Sequence, residues 1–253
     1  SQEMPESPLY NVGVGLRFSS ALDIEALRNS IRYVFSRHPM LHSTFSQQDG
    51  EPLQIIQHRQ DVTLEQRDAP DMTERQLRQY AREYLNRPFD LEQGPLFRAS
   101  LVTRADHEHL MLLVVHHLVM DAWSMEMLLT DVLSAYQAYT SGKTPALPDL
   151  QSHYQDFVRW QAQLISGEEG ERLGQYWQQQ LAGELPVLNL PTDRPYPAQQ
   201  SYHGRTYGFS FPEEVTTRLR TFAQTSGTML YTVLLAVFQV LLYRYSGQPD
   251  IVV

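Results

Sequence analysis

A short apolar run that ends at two histidines constrains the fold of this chain more than any other feature. The run, Leu110 to Val115, is rich in Val and Leu and stops at His116 and His117. Its length and composition favour a buried strand over a helix. Because adjacent side chains on a strand point to opposite faces, one imidazole is expected to pack in the interior while the other faces a cavity.

A helix is expected to follow this strand after a short loop. Asp121 and Ser124 stand before a segment in which apolar residues return at helical spacing, so either of them can cap the helix. The apolar positions are Met125, Leu128, Leu129, Val132 and Tyr136. The sequence thus predicts a loop that carries two imidazoles and a carboxylate between a strand and a helix, which is a typical setting for a functional site.

Proton transfer is a chemistry that these side chains suit. A neutral histidine near pH 7 can take a proton from an amine or a hydroxyl group. Asp121 can hold an imidazole in one tautomer, or it can pair with an arginine and fix the loop. Two other interpretations stay open at this point: the histidine pair can be structural, or His116, His117 and Asp121 can be metal ligands. No cysteine and no further His or carboxylate cluster at ligand spacing supports the metal site.

Composition and charge exclude several classes of protein. The chain has 253 residues, 42% of them hydrophobic, which is ample for a globular core. A net charge of -9 without a basic stripe argues against a nucleic-acid partner. The absence of cysteine excludes a disulfide framework and a cysteine nucleophile, and it is compatible with the cytoplasm, where we expect the protein. The longest apolar stretch, Met229 to Tyr243, contains Gln239 and is shorter than a bilayer span, so no membrane partner is expected.

Local patterns predict an α/β fold. Apolar alternation and short apolar runs predict strands near residues 10–18, 41–45, 53–57, 62–68, 97–104, 108–116 and 206–211, and one more that begins at Asp250. Helical spacing predicts helices near residues 24–38, 73–86, 124–140, 150–166, 170–181, 213–226 and 228–245. Asp49 and Gly50 predict a hairpin turn. Residues 185–200, with four prolines, are expected to be extended.

The order of residues around the two histidines resembles a known motif. The segment HHLVMDAWS at 116–124 is similar to the HHxxxDG active-site motif of condensation domains from nonribosomal peptide synthetases, which belong to the chloramphenicol-acetyltransferase-like acyltransferase superfamily. Four further segments follow the order of that family: RHPMLHSTF at 37–45, RPFDLEQGPLFRASL at 87–101, HYQDFVRWQ at 153–161 and LPTDRPYPAQQSYHG at 190–204. The resemblance spans nearly the whole chain.

The resemblance implies an architecture of two similar α+β lobes with the active site in a tunnel between them. Residues 1–167 are expected to form the N-terminal lobe, which bears the HHxxxD motif, and residues 168–253 the start of an incomplete C-terminal lobe. The apolar residues at the very end also suggest that the sequence stops inside a larger multidomain protein.

The resemblance also implies a reaction and a set of site residues. Condensation domains join an acyl or peptidyl thioester on one carrier protein to the amine of an aminoacyl group on another. His117 is expected to orient the acceptor amine and take its proton, or to hydrogen-bond the tetrahedral intermediate. His116 is expected to be structural, and Asp121 to fix the loop by an ion pair with an arginine. The candidate partners of that aspartate are Arg37, Arg205 and Arg244.

Three further positions in the motif and one outside it bear on this expectation. Ala122 stands where the family has glycine, so a backbone that needs a positive φ or a very close approach to substrate is harder to form. Trp123 and Ser124 match a form common among domains that take an acceptor amine, and Ser124 is expected to cap the helix rather than act as a nucleophile. His42 stands where the family usually shows arginine, which weakens any support that this arginine gives to the site.

The resemblance leaves several functions to compare. The domain itself is expected to bind no cofactor and no metal, because its substrates arrive on the phosphopantetheine arms of donor and acceptor carrier domains, beside a neighbouring adenylation domain. Alternatives are a related acyltransferase that uses coenzyme A thioesters, an epimerisation domain of the same fold, and a catalytically weakened platform that binds carrier domains.

Overall fold

A computed structural model describes residues 7–57, 61–105, 107–198, 204 and 206–252. Its strands are β1 (Asn11–Phe18), β2 (Ser43–Gln48), β3 (Glu51–Ile56), β4 (Leu64–Asp68), β5 (Phe97–Ala105) and β6 (Glu108–His116). Its helices are α1 (Ile24–Arg37), α2 (Glu74–Asn86), α3 (Ala122–Thr140), α4 (Tyr154–Ser166), α5 (Glu168–Gln180), α6 (Glu213–Thr225) and α7 (Leu230–Ser246). Short 3-10 helices span Pro8–Tyr10 and Pro39–His42.

A four-stranded sheet in the order β1-β6-β5-β4 is the framework of the first half of the chain. β6 is antiparallel to both β1 and β5, while β4 runs parallel to β5. Since β6 has a strand on each side and helices over both faces, its residues from His109 to His116 are all buried. The predicted strand before the histidine pair is therefore confirmed as a central strand.

Helices cover the two faces of this sheet. The ring of Phe35 on α1 lies 5.9 Å from that of Phe97 on β5, which places α1 on one face. The hydroxyl of Tyr80 on α2 lies 2.8 Å from that of Ser100, whose side chain points to the opposite face because it alternates with Phe97. On that second face α2 comes close to β1, since a Cβ at Gly13 would lie 2.8 Å from a methyl carbon of the helix.

A two-stranded hairpin, β2 and β3, forms a second small sheet. Its turn has Asp49 at φ 52° and Gly50 at φ 86°, both in the left-handed region that a tight two-residue hairpin turn requires. The predicted hairpin is therefore confirmed, although its first strand begins at Ser43 rather than at Leu41, which belongs to the preceding 3-10 helix.

The chain divides into two compact units, Ser1–Arg159 and Trp160–Val253. The first unit contains both sheets. The second unit is helical in its described part, and within it the side-chain amide of Gln248 accepts the N–H of Asn189 and donates to the carbonyl oxygen of Val187, at 2.7 and 2.9 Å. The boundary between the units falls within α4, whereas the lobe boundary predicted from the sequence lies after residue 167.

Two predicted strands in the second unit are wrong. Residues 206–211 and 250–252 have no regular secondary structure. Tyr207, Phe209 and Phe211 alternate as a strand would, but their rings are exposed and contact one another. Alternation alone does not make a strand, because the backbone also needs a neighbouring strand with which to form hydrogen bonds.

The membrane-spanning potential of the helices is low. Among the described residues, no single helix combines the length and apolar composition of a membrane span, and α6 and α7 reach it only as a pair bent by 111°.

Candidate active site

The motif loop is held from both sides at the point where β6 ends. The backbone N–H of His116 donates to the carbonyl oxygen of Leu96, at 2.9 Å, just before β5. The backbone N–H of His117 donates to the carbonyl oxygen of Tyr10, at 2.8 Å, just before β1. The two consecutive residues are therefore fixed to opposite neighbours in the sheet, which determines the direction in which each side chain leaves the strand.

His116 packs inside the protein. The residue is 5% exposed, and its Nδ1 accepts the backbone N–H of Leu118 at 3.2 Å. The ring lies 6.1 Å from that of Tyr10 and meets that of Phe89 edge-on at 6.2 Å. Burial, and to a smaller extent the neighbouring His117, lower the pKa of the His116 imidazole below its usual value, so a neutral ring is favoured. A neutral ring is also what the bond to Leu118 requires.

His117 lies on the other side, at an open cavity of about 360 Å³ within the first unit. The residue is exposed, while the cavity wall is largely apolar. Residues that contribute to the wall include His38, Met40, Leu118, Met120, Met127 and Leu150. The structure therefore places His117 and His116 as strand alternation predicts, with the second imidazole facing the cavity. An exposed imidazole in such a setting can accept a proton from a bound amine or hydroxyl group.

Asp121 is the N-cap of α3. Its Oδ1 accepts the backbone N–H of Ser124 at 2.8 Å, which satisfies a helix-end donor that has no partner within the helix. This bond is the main reason why the pKa of the Asp121 carboxyl is lowered, with a smaller contribution from the nearby His117. The prediction that Ser124 caps the helix is therefore wrong, because the cap lies three residues earlier and Ser124 donates to it.

The arginines predicted as partners of Asp121 are placed differently. The Nε of Arg37 lies 3.9 Å from the carboxylate of Asp131 on α3, and its guanidinium also donates to the carbonyl oxygen of Pro148. Arg37 thus pairs with Asp131 rather than with Asp121. Arg244 lies in the last turn of α7, in the second unit. Arg205 is outside the described residues.

Ala122 and Trp123 form the first turn of α3. Ala122 has an ordinary helical backbone, since Asp49 is the one non-glycine residue with a positive φ in the described part of the chain. The missing glycine therefore causes no backbone strain at this position. Trp123 is 73% exposed, while Ser124 contributes to the cavity wall.

His42, which stands where the family usually has arginine, supports the hairpin rather than the site. Its Nδ1 lies 2.8 Å from the carbonyl oxygen of Gln57, to which it donates, and its ring lies 5.6 Å from that of Phe35. His42 is not among the residues that line the cavity of His117. Its Nε2 is buried without a hydrogen-bond partner in the described structure.

Two cavity residues were missed by the sequence reasoning. His38 and His153 both line the cavity, and the Nε2 of His38 lies 3.2 Å from the carboxylate of Asp131. Both histidines belong to segments that carry the family resemblance, so those segments were the signal that pointed to them. In the described chain, no three His, Asp or Glu side chains are grouped so that they could hold a metal ion.

Comparison with known proteins identifies a single family. The family model described as Condensation domain matches residues 1–253. A linear gramicidin synthase of Brevibacillus parabrevis is 41% identical over 254 residues, which cover 99% of this chain and 3% of that protein. Tyrocidine synthase 2 of the same organism is 35% identical over 252 residues, which cover 98% of this chain and 7% of that protein. The chain therefore spans only a small part of these relatives.

Solved structures show the same fold. A complex of the X-domain and OxyB from teicoplanin biosynthesis has a chain that is 28% identical, with a TM-score of 0.81 over 96% of this chain and 54% of that one. The first condensation domain of the CDA synthetase is 21% identical, with a TM-score of 0.79 over 99% of this chain and 60% of that one. The predicted chloramphenicol-acetyltransferase-like α/β fold is thereby confirmed.

Proposed function

The chain belongs to the condensation domain family, and from this premise we propose that it forms an amide bond between two carrier-bound substrates. The donor is an acyl or peptidyl thioester, and the acceptor is the amine of an aminoacyl thioester. Both are delivered on the phosphopantetheine arms of carrier domains, next to an adenylation domain of the same synthetase. In this assignment residues 1–167 are the N-terminal lobe and residues 168–253 the start of the second lobe.

His117 is the residue that we assign to the chemical step. The acceptor nitrogen attacks the donor carbonyl carbon, so that a C–N bond forms and the C–S bond of the thioester breaks. The imidazole takes the proton that the nitrogen loses, and the leaving thiolate is protonated in turn to give the free thiol. The observation that carries this proposal is the exposure of His117 at a largely apolar cavity while its neighbour is buried. Restricted access of water to such a cavity favours aminolysis over hydrolysis of the thioester.

The remaining motif residues support that step without touching the substrates. His116 fixes the strand end by its packing and its bond to Leu118, and Asp121 starts the helix that forms one wall of the cavity. Trp123, exposed in the first turn of that helix, is available to contact a substrate or a carrier domain.

The test replaces His117 by Ala in the intact synthetase that contains this domain. We expect dipeptide formation between loaded carriers to fall by ~10²–10⁴-fold, the usual contribution of a positioned base. His107→Ala is the matched control, since it removes an exposed imidazole from the turn between β5 and β6. Undiminished dipeptide formation by the His117 variant would contradict the role given to this residue.

A second candidate is a binding platform that recruits partner proteins without forming a bond. The similarity to the X-domain favours it, because that domain was solved in a complex with OxyB. Carrier binding by the wild-type intact protein, without any condensation, would identify this function. In the same assay, turnover of coenzyme A thioesters would identify a coenzyme A-dependent acyltransferase, and exchange of the α-hydrogen for deuterium would identify an epimerisation domain.

A further inference from the structure

A buried arginine lies behind the motif histidines. Arg98 on β5 is 7% exposed, and its guanidinium faces the C-terminal end of α2. Its Nη2 donates to the carbonyl oxygen of Tyr84 at 2.9 Å and to that of Arg87, while Nη1 lies 3.4 Å from the carbonyl oxygen of Pro88. Carbonyl groups at a helix end lack donors within the helix, so Arg98 supplies what α2 itself cannot.

Asn11 binds the same helix end from the neighbouring side of the sheet. Its Nδ2 donates to the carbonyl oxygens of Leu85 and Arg87, at 2.6 and 2.9 Å. Its Oδ1 is buried and has no hydrogen-bond partner in the described structure, so the donors are the part of this side chain that matters. In the sheet, Asn11 is directly paired with His116. We call Asn11, Arg98 and the carbonyl groups of Leu85 and Arg87 the α2 clasp.

Phe89 connects the α2 clasp to the motif. The guanidinium carbon of Arg98 lies 4.0 Å from the centre of the Phe89 ring, a cation–π contact. The same ring also meets the ring of His116 edge-on, at 6.2 Å. One aromatic side chain therefore lies between the buried charge and the buried imidazole, and a displacement of the helix end moves the support of His116.

The α2 clasp has an energetic cost that packing alone does not require. Burial lowers the pKa of Arg98 to about 10, which leaves it charged at neutral pH. Among the described residues its close partners are carbonyl oxygens and aromatic rings, not a carboxylate. A buried charge without an ion pair is unfavourable compared with an apolar residue of similar volume. Its retention beside the motif points to a requirement for a fixed geometry.

We propose that Arg98 and Asn11 are positioning residues, which hold the end of α2 and Phe89 against His116 and thereby set the direction of the His117 imidazole. This inference rests on the proposed function only for the reaction that His117 performs. Neither residue lines the cavity, so each acts through the ring of His116 and the backbone bond that follows it.

The test compares Arg98→Met and Asn11→Ala with two controls. Arg17→Met is the matched control, since Arg17 ties the opposite end of α2 to the sheet through Glu74 at 2.6 Å. Val34→Ala, in the core of α1, reports the effect of general destabilisation. We expect the two clasp variants to lower kcat by between ~10- and ~100-fold in the intact synthetase, because a displaced catalytic group loses alignment, while KM for the carriers is preserved.

A second measurement does not depend on activity. In the 253-residue chain, the imidazole nitrogen NMR resonances of His116 and His117 should shift in both clasp variants and stay in place in Arg17→Met and Val34→Ala. Asn11→Asp should shift them more than Asn11→Ala, because its carboxylate faces two carbonyl oxygens. Unshifted resonances in the clasp variants, or equal shifts in the controls, would overturn the proposal. If the wild-type synthetase forms no amide bond, the proposed function fails while the resonances still decide the role of the α2 clasp.

Discussion

At the scale of single residues, adjacent histidines differ because the strand that carries them directs them to opposite sides. This difference follows from the pleat of any strand, so the sequence predicts that one ring packs and the other faces a cavity. The partners of each ring are another matter. His38 contacts Asp131 from 93 residues away, and Arg98 binds the carbonyl group of Tyr84 from 14 residues away. Such pairs depend on how the elements pack, which local patterns do not encode.

The protonation of His116 gives a prediction about pH. Because burial lowers the pKa of its imidazole, the unfolded chain takes up more protons than the folded one as the pH falls below about 6.5, and the free energy of unfolding decreases there. We expect His116→Asn to reduce this loss of stability, since its side-chain oxygen can accept the N–H of Leu118 without titrating. Urea unfolding at pH 7.5 and pH 5 measures it. An unchanged pH dependence in the variant would refute the prediction.

At the scale of elements, local capping chemistry determines where α3 begins. Both Asp121 and Ser124 are good N-cap residues, and the periodicity of the helix starts after them, so the sequence leaves the choice open. The structure selects Asp121 because the first turn includes Ala122 and Trp123. For the wrongly predicted strand at 206–211 the missing information was a pairing partner, which a pattern confined to six residues cannot supply.

The cap role of Asp121 can be separated from an ion pair with an arginine. Asp121→Ala should lower the free energy of unfolding by about 1 kcal/mol, because the N–H of Ser124 loses its acceptor. Asp121→Asn should change it little, since asparagine caps helices about as well as aspartate does. Chemical denaturation of the two variants measures the difference. An equal loss in both variants would instead show that the negative charge itself is needed.

At the scale of the whole molecule, the two units have very different interiors. The first unit buries long runs of apolar side chains on both sides of β6. In the described part of the second unit, the buried apolar side chains are Ala223, Val233 and Leu242, while many aromatic rings are exposed. The family resemblance predicted the fold of the chain from its motifs. It could not predict this difference, which depends on the burial of each side chain.

Hydrogen exchange should report this difference directly. In the 253-residue chain, we expect the amides of β5 and β6 to exchange much more slowly than those of α6 and α7, because local opening of a helix with few buried contacts requires little free energy. Mass spectrometry of peptides from the two regions after deuterium labelling measures it. Comparable protection in both regions would contradict the expectation.

The complete enclosure of β6 has a consequence for protein engineering. Substitutions within this strand disturb a close-packed interior on two sides, and so they are poor starting points for altering which substrates are accepted. Leu118 and Met127 border the cavity and are exposed to solvent, so a mutagenesis library can vary them without repacking the sheet. A designer who wishes to change selectivity should therefore randomise the loop and first helical turns after the histidines and leave the strand before them intact.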